Sequence, residues 1–376
     1  MRLDLDDVSA LRAFFLMLEA RFWASESVVD PRVTPTEIAR RTGRSRSGVQ
    51  VRLKRWRDSG FWKGYEVWPN PRLFGASLAT IDVPVRGPAQ VDDLFDSLRM
   101  VDGVVAARDY LGEDGRSVRA YAICDTAREL DRRRRLIARI ASNPSELVCQ
   151  EYWVPETLES LSRLDWRIVA LYRSMPEIRL REAAARLGVT PKTLSRRRDR
   201  LVDSHALWWL LTSDSGMLSV ATYYVRLENP SWRYRVKEAL GTRVKGWVPC
   251  ADDGFGRMPS WDLDTVAGLS FVDSPASIDS VARDMLEIPG VAAVTWKVPR
   301  GFRSYGDWFD RAIRSELERT ALGSVGPVPG PRSIGSGYSL DLPPAPAPFG
   351  PATSETVARG SARRPLGVRA TRPVAD

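Results

Sequence analysis

The feature that most limits what this chain can fold into is an internal duplication. Glu37-Ile-Ala-Arg-Arg-Thr-Gly43 returns as Glu182-Ala-Ala-Ala-Arg-Leu-Gly188, 145 positions later (182 − 37). The same offset carries Ser45 to Thr190, Val49 to Leu194, Arg52 to Arg197, Arg55 to Arg200, Trp56 to Leu201 and Asp58 to Asp203. Upstream, Leu11, Phe15 and Leu18 match Leu164, Ile168 and Leu171, with extra residues in the loop Trp23 to Val33 of the first copy. Insertions confined to loops are the mark of a duplicated domain.

Each copy opens with three helices. Val8, Leu11, Phe15, Leu18 and Phe22 keep a helical apolar stripe. Thr34-Pro35-Thr36-Glu37 reads as a capping box with Pro at the first helical position, and Gly43 as a left-handed stop. Ser45 caps a third helix closed by Gly60, with Val49, Leu53 and Trp56 as its inward face. A short helix, a glycine turn and a second helix form the helix-turn-helix signature. Strand patterns then fall at Leu78–Val85, Val104–Leu111, Val118–Cys124 and Leu147–Val154, and helix patterns at Val91–Leu98 and Leu130–Ile140. That order is β-α-β-β-α-β, a ferredoxin-like plait. The second copy repeats it with strands at Val220–Leu227, Val244–Cys250, Thr265–Val272 and Val291–Val298, and helices at Trp232–Leu240 and Ile278–Leu286. The expected class is α+β, with tandem winged helix-turn-helix and plait units: 1–75 and 76–156, then 157–216 and 217–321. Residues 322–376 hold ten Pro and eight Gly without periodicity, which predicts a disordered tail.

This arrangement resembles the Lrp/AsnC family of prokaryotic transcriptional regulators. The resemblance is densest in Glu37-Ile-Ala, Gly43, Ser45, Val49, Arg52-Leu53 and Ser59-Gly60, and continues through Lys63-Gly64-Tyr65, Asn70-Pro71 and Phe74-Gly75. Val101-Asp102-Gly103-Val104 and Ile288-Pro289-Gly290-Val291 resemble the turn that family uses before a strand. The resemblance implies DNA binding as dimers or rings, and plait domains that pair and sense small effectors such as amino acids. The second copy departs from it: His205 stands where Gly60 closes the recognition helix, and Arg198 where Leu53 is apolar.

The charge balance agrees with an acidic partner. Lys plus Arg total 56 against 47 Asp plus Glu, for a net charge of +9. On the first recognition helix Arg46, Ser47, Gln50 and Lys54 project away from the apolar face; Arg46 suits a fork onto guanine and Gln50 a pair of bonds to adenine. Ser45, Arg44, Arg52, Arg55 and Arg57 would flank the phosphates of double-stranded DNA. The second copy offers Thr190, Lys192, Ser195, Arg196 and Arg197, with Asp199 in place of Lys54. Arg132 to Arg135 point all round their helix and are expected to be solvated. In the resembled family the loop between the second and third plait strands lines the effector site. Gly112, Asp114 and Arg116, and Asp253 and Arg257, are therefore the candidates for an amino-acid-like effector.

Catalysis has little to work with. No phosphate-binding glycine loop, nucleophile elbow or zinc-protease motif is present, and the one histidine, His205, falls in the helix-turn-helix as a helix cap. No catalytic residue, cofactor or metal is expected; Cys124, Cys149 and Cys250 lack metal or disulfide spacing. Two other functions remain on the same fold. One is an enzyme of the sirohaem-decarboxylase type, expected to use His and Arg in the plait cleft, where this chain has Arg but no His. The other is a ligand sensor without DNA contact, against which the basic stretch Arg44 to Arg57 speaks. No uncharged apolar run of 18 residues exists and the N-terminus is acidic, so a cytoplasmic protein without a membrane segment is expected, and the resemblance implies a homo-oligomeric regulator.

Overall fold

In the computed structural model the residues described are 28–29, 31–32, 34–113, 115–142, 147–152, 154–157, 160–213, 220–244, 247–249, 264–272 and 275–322. The helix expected over Val8 to Phe22, the tail, Cys250, Asp114, Asp253 and Arg257 lie outside them. In chain order, a two-residue strand β1 (Val28–Val29) precedes α1 (Pro35–Thr42) and α2 (Arg46–Asp58). The sequence places these ends correctly. Thr34 and Ser45 accept from the backbone of Glu37 and Gly48, and Gly43 stops α1 at φ 66°. The Glu37 carboxylate is engaged by Arg40 at 2.7 and 2.9 Å.

Strand β2 (Trp62–Pro69) follows, then a 3-10 turn at Pro71–Phe74. The first plait comprises β3 (Ser77–Val85), α3 (Pro88–Arg99), β4 (Val104–Gly112), β5 (Gly115–Cys124), α4 (Ala127–Ile140) and β6 (Val148–Tyr152). The second copy supplies α5 (Arg163–Ser174), α6 (Leu180–Leu187) and α7 (Pro191–Asp203), then β7 (Leu207–Ser213). Its plait is β8 (Val220–Leu227), α8 (Arg233–Arg243), β9 (Val248–Pro249), β10 (Thr265–Phe271), α9 (Pro275–Leu286) and β11 (Val291–Ser304). A last helix, α10 (Asp307–Ala321), was not anticipated.

Both plaits have the ferredoxin-like strand order. The run β6-β3-β5-β4 is matched by β11-β8-β10-β9, and the two join edge to edge through β4 and β11 into one eight-stranded sheet. The join explains why β11 runs six residues past the expected end at Val298. Its first half pairs with β8, and its second half with β4, from Lys297 opposite Gly112 to Ser304 opposite Ala106. Of the strand expected over Val244–Cys250, Val248–Pro249 is extended, whereas Val244 caps α8.

The helix-turn-helix units are joined in the same way. Among the described residues each has one strand between its recognition helix and its plait, and β2 pairs antiparallel with β7, Val67 opposite Trp209 and Trp68 opposite Trp208. The wing is thus built by both copies together, with β1 on the outer side of β7. Beneath it Ile38, Val49, Trp56 and Phe61 of the first copy share one apolar core with Trp166, Leu194, Leu201 and Trp209 of the second. Helix α10 adds Ile313 to this core and sets Phe309 against Trp68, with ring centroids 5.4 Å apart. Asn70 closes the seam: its fully buried amide donates to Pro155 O and His205 O, both at 3.0 Å, and its oxygen accepts from Arg72 N.

One charge expectation is corrected. Within Arg132–Arg135, Arg133 is buried, donating to Asp102 O at 2.6 Å, Glu129 at 2.7 Å and Cys124 Sγ at 3.1 Å. Gly103, at φ 82°, lies over it so closely that an added Cβ would stand 2.3 Å from the guanidinium. The helix ends differ more subtly. Gly60 leaves α2 at φ 74°, and His205 leaves α7 in the same left-handed region at φ 57°. A side chain there carries a steric cost that glycine avoids. Gly60→Ala is expected to lower the unfolding free energy by about 1 kcal/mol and His205→Gly to raise it by no more than that. Thermal unfolding of the two variants measures both.

Candidate nucleic-acid interface

Helix α2 turns Val49 and Trp56 inward, and Leu53 is half-buried beside them. Ser45, Arg46, Ser47, Gln50, Lys54 and Arg55 are exposed, while Arg44 and Arg52 are half-buried. At ~100° per residue, the line opposite the buried face runs through Ser47, Val51, Lys54 and Asp58. Lys54 forms an ion pair with Asp58 one turn on. Arg57 departs from its expected place among phosphate contacts. Its guanidinium stacks over Trp62 at 4.3 Å and reaches Glu177 of the second copy at 3.1 Å. Val51, 67 % exposed, is a surface residue that sequence reasoning passed over. Counting turns from Val49 would have found it.

Helix α7 buries Leu194 and Leu201 and exposes Lys192 and Arg196, with Thr190 as its N-cap and Ser195 half-buried. Arg197, expected on the DNA side, is instead drawn inward. Its Nη1 donates to Asp165 Oδ1 at 2.9 Å and to Ser162 Oγ at 3.1 Å, while Arg200 takes Asp165 Oδ2 at 2.6 Å. Asp165 is fully buried and forms a reciprocal capping box with Ser162 at the start of α5. Burial by itself would raise its carboxyl, but hydrogen bonds from Ser162 and Arg197 and the Arg200 charge hold it below the ordinary aspartate range. Asp199 accepts from Ser195 at 3.3 Å and from Arg198 at 2.8 Å, so its charge is already met. The two recognition helices therefore present different surfaces. One offers Arg46, Ser47, Gln50, Val51 and Lys54, the other Lys192 and Arg196.

Of the candidate effector residues, Gly112 and Arg116 are described, and they lie side by side where β4 pairs with β5, Leu111 opposite Arg116 and Gly112 opposite Gly115. Gly112 ends β4, where an added Cβ would sit 3.0 Å from Trp296 O, so its place is the β4–β11 seam. Arg116 forks onto Asp109 at 2.8 and 2.5 Å. A cleft of about 730 Å³ opens elsewhere, where Arg99, Met100 and Asp102 face Tyr305, Trp308 and Arg311 at the start of α10. Among the described residues no cluster of His, Cys, Asp and Glu could hold a metal ion. Burial pushes the Cys124 and Cys149 thiols up to about 11, so both stay neutral. No described helix is long and apolar enough to cross a membrane.

No protein-family model matches the chain. Over 95 residues it is 33 % identical to the HTH-type transcriptional regulator LrpA of Mycobacterium tuberculosis, a stretch that is 25 % of this chain and 63 % of that regulator. Among solved structures, the siroheme decarboxylase NirDL aligns over 84 % of this chain and 99 % of its own, at 14 % identity and TM-score 0.47. The leucine response regulatory protein LrpA of M. tuberculosis aligns over 42 % and 96 %, at 23 % identity and TM-score 0.26. AsnC of E. coli aligns over 36 % and 90 %, at 13 % identity and TM-score 0.25.

Proposed function

We propose that the chain, 95 residues of which are 33 % identical to a helix-turn-helix regulator and whose pattern repeats after 145 positions, is a sequence-specific, double-stranded-DNA-binding transcriptional regulator of the Lrp/AsnC type in which one chain presents two recognition helices. The observation that carries this reading is the antiparallel pairing of β2 with β7. These strands directly follow α2 and α7, and an antiparallel pair of equivalent strands relates its two sides by a local two-fold axis. The same axis relates the helices in front of them, matching the dyad of two half-sites on a duplex. Arg46, Ser47, Gln50 and Lys54 read bases from the first helix; Ser45, Arg44, Arg52 and Arg55 hold phosphates. Thr190, Lys192, Ser195 and Arg196 serve the second half-site, and Arg197 serves it only by fixing α7 on Asp165. A small-molecule effector such as an amino acid acts at the plait domains, and the chain works as a homo-oligomer.

Recovery of genomic DNA fragments bound by the purified full chain tests the reading. The expected result is one enriched motif with two half-sites about 10 base pairs apart, centre to centre. On that site Arg46→Ala should cost about 1–3 kcal/mol, against much less on random DNA. Salt-titrated anisotropy on both duplexes measures the difference. Equal losses on both would reduce Arg46 to a phosphate contact, and no enrichment at all, or a porphyrin-type absorbance band in the purified chain, would overturn the regulator in favour of a sensor or an enzyme.

A further inference from the structure

We infer that Val51 reads a thymine methyl group in the half-site held by α2, and that the operator is therefore chemically asymmetric. The inference rests on the DNA-binding reading above and adds a specificity-determining residue to it. Three observations carry it. Val51 is 67 % exposed on a helix whose other large apolar side chains, Val49, Leu53 and Trp56, are buried or half-buried. It stands on the line opposite that apolar face, one turn beyond Ser47 and beside Lys54, where the helix would meet base edges. Its counterpart in the duplicated copy is Arg196, exposed on the same line of α7.

The chemistry follows from what the major groove displays. Every base edge there offers hydrogen-bond donors or acceptors, and the thymine C5-methyl is the apolar group among them. Valine has no hydrogen-bonding atom, so its two methyl groups gain from that contact and lose against a polar edge, which must shed water without a partner. A β-branched side chain also has few rotamers in a helix, so it arrives at the groove already ordered. Arg196 suits the opposite choice, guanine O6 and N7 or a phosphate. The two helices thus face their half-sites with an apolar and a cationic group at the same position, and the chain has a preferred direction on its DNA.

The test uses the full chain and the duplex it enriches. Thymines are replaced one at a time by deoxyuridine, which lacks only the methyl group, and binding is measured for the unmodified protein and for Val51→Ala. One thymine should stand out, where deoxyuridine weakens the unmodified protein roughly threefold to tenfold. Val51→Ala should weaken binding to the thymine duplex by the same factor and leave binding to the deoxyuridine duplex unchanged. Sequence-specific binding in which no deoxyuridine matters, or in which Val51→Ala loses equally on every duplex, overturns the role of Val51 while the DNA-binding reading stands. Failure to enrich any duplex overturns both.

Discussion

Trp209→Ala is expected to lower the unfolding free energy by about 3–5 kcal/mol. Trp209 is 2 % exposed in β7, the central strand of the three-stranded sheet. Its ring meets Tyr172 edge-on at 5.2 Å, and its Nε1 donates to Pro176 O at 3.3 Å. Truncation removes a large buried ring and leaves a void that the backbone ladder on both sides of β7 holds open. Because β7 pairs with β2, and one apolar core holds residues of both copies, the loss should reach across the duplication. Urea unfolding followed by circular dichroism gives the free energy. Hydrogen exchange gives its location, with amides of α2 as well as α7 losing protection. Protection lost in the second copy alone would mean that the two helix-turn-helix units do not share a core.

Asp165→Ala should cost about 2–4 kcal/mol, and the loss should depend on pH. The substitution removes the capping box of α5 and the carboxylate that Arg197 and Arg200 share. Breaking a buried pair on one side costs about 3–5 kcal/mol, but both guanidiniums keep some access to water, which reduces it. The folded carboxyl is held below its ordinary value while the unfolded one titrates near it, at about pH 4, so as the pH falls through that range the unfolded chain binds the extra proton first. Stability from this group is therefore present above that range and lost as the pH falls through it. Asp165→Ala should lack that part of the acid limb, so the two stability curves converge as the pH drops below about 4. Parallel curves would show that Asp165 acts only through packing.

The local punctuation of this fold was legible in the sequence because its causes are local. Thr34, Ser45 and Gly43 act within one turn of where they stand, and the strands of both plaits appear from their apolar patterns. What remained hidden is non-local. A strand pattern says that a strand wants neighbours but not which ones, so neither the β2–β7 wing nor the second half of β11 could be assigned. Arg133 read as solvated and Arg197 as a DNA contact because an arginine's destination depends on a remote carboxylate or carbonyl. Helix α10 is a different omission. Phe309, Ile313 and Leu317 recur every four residues, a signal that was available, although no side chain caps the helix at Gly306 to announce it. Of the candidate interface, the polar face of α2 was readable from the buried positions, whereas the withdrawal of Arg197 from the face of α7 depends on Asp165, 32 residues away in the chain.

The two seams, β2 with β7 and β4 with β11, lie between halves of one polypeptide. Separate subunits that meet through such surfaces fall apart on dilution and can exchange with any relative that offers the same edge. Tethered halves meet at an effective concentration on the order of millimolar, whatever the number of copies in the cell. The pairing is then first order, its midpoint independent of protein concentration, and closed to mixing with single-unit relatives. Freed from recognising an identical twin, each half can diverge in sequence, as Val51 and Arg196 do at equivalent positions.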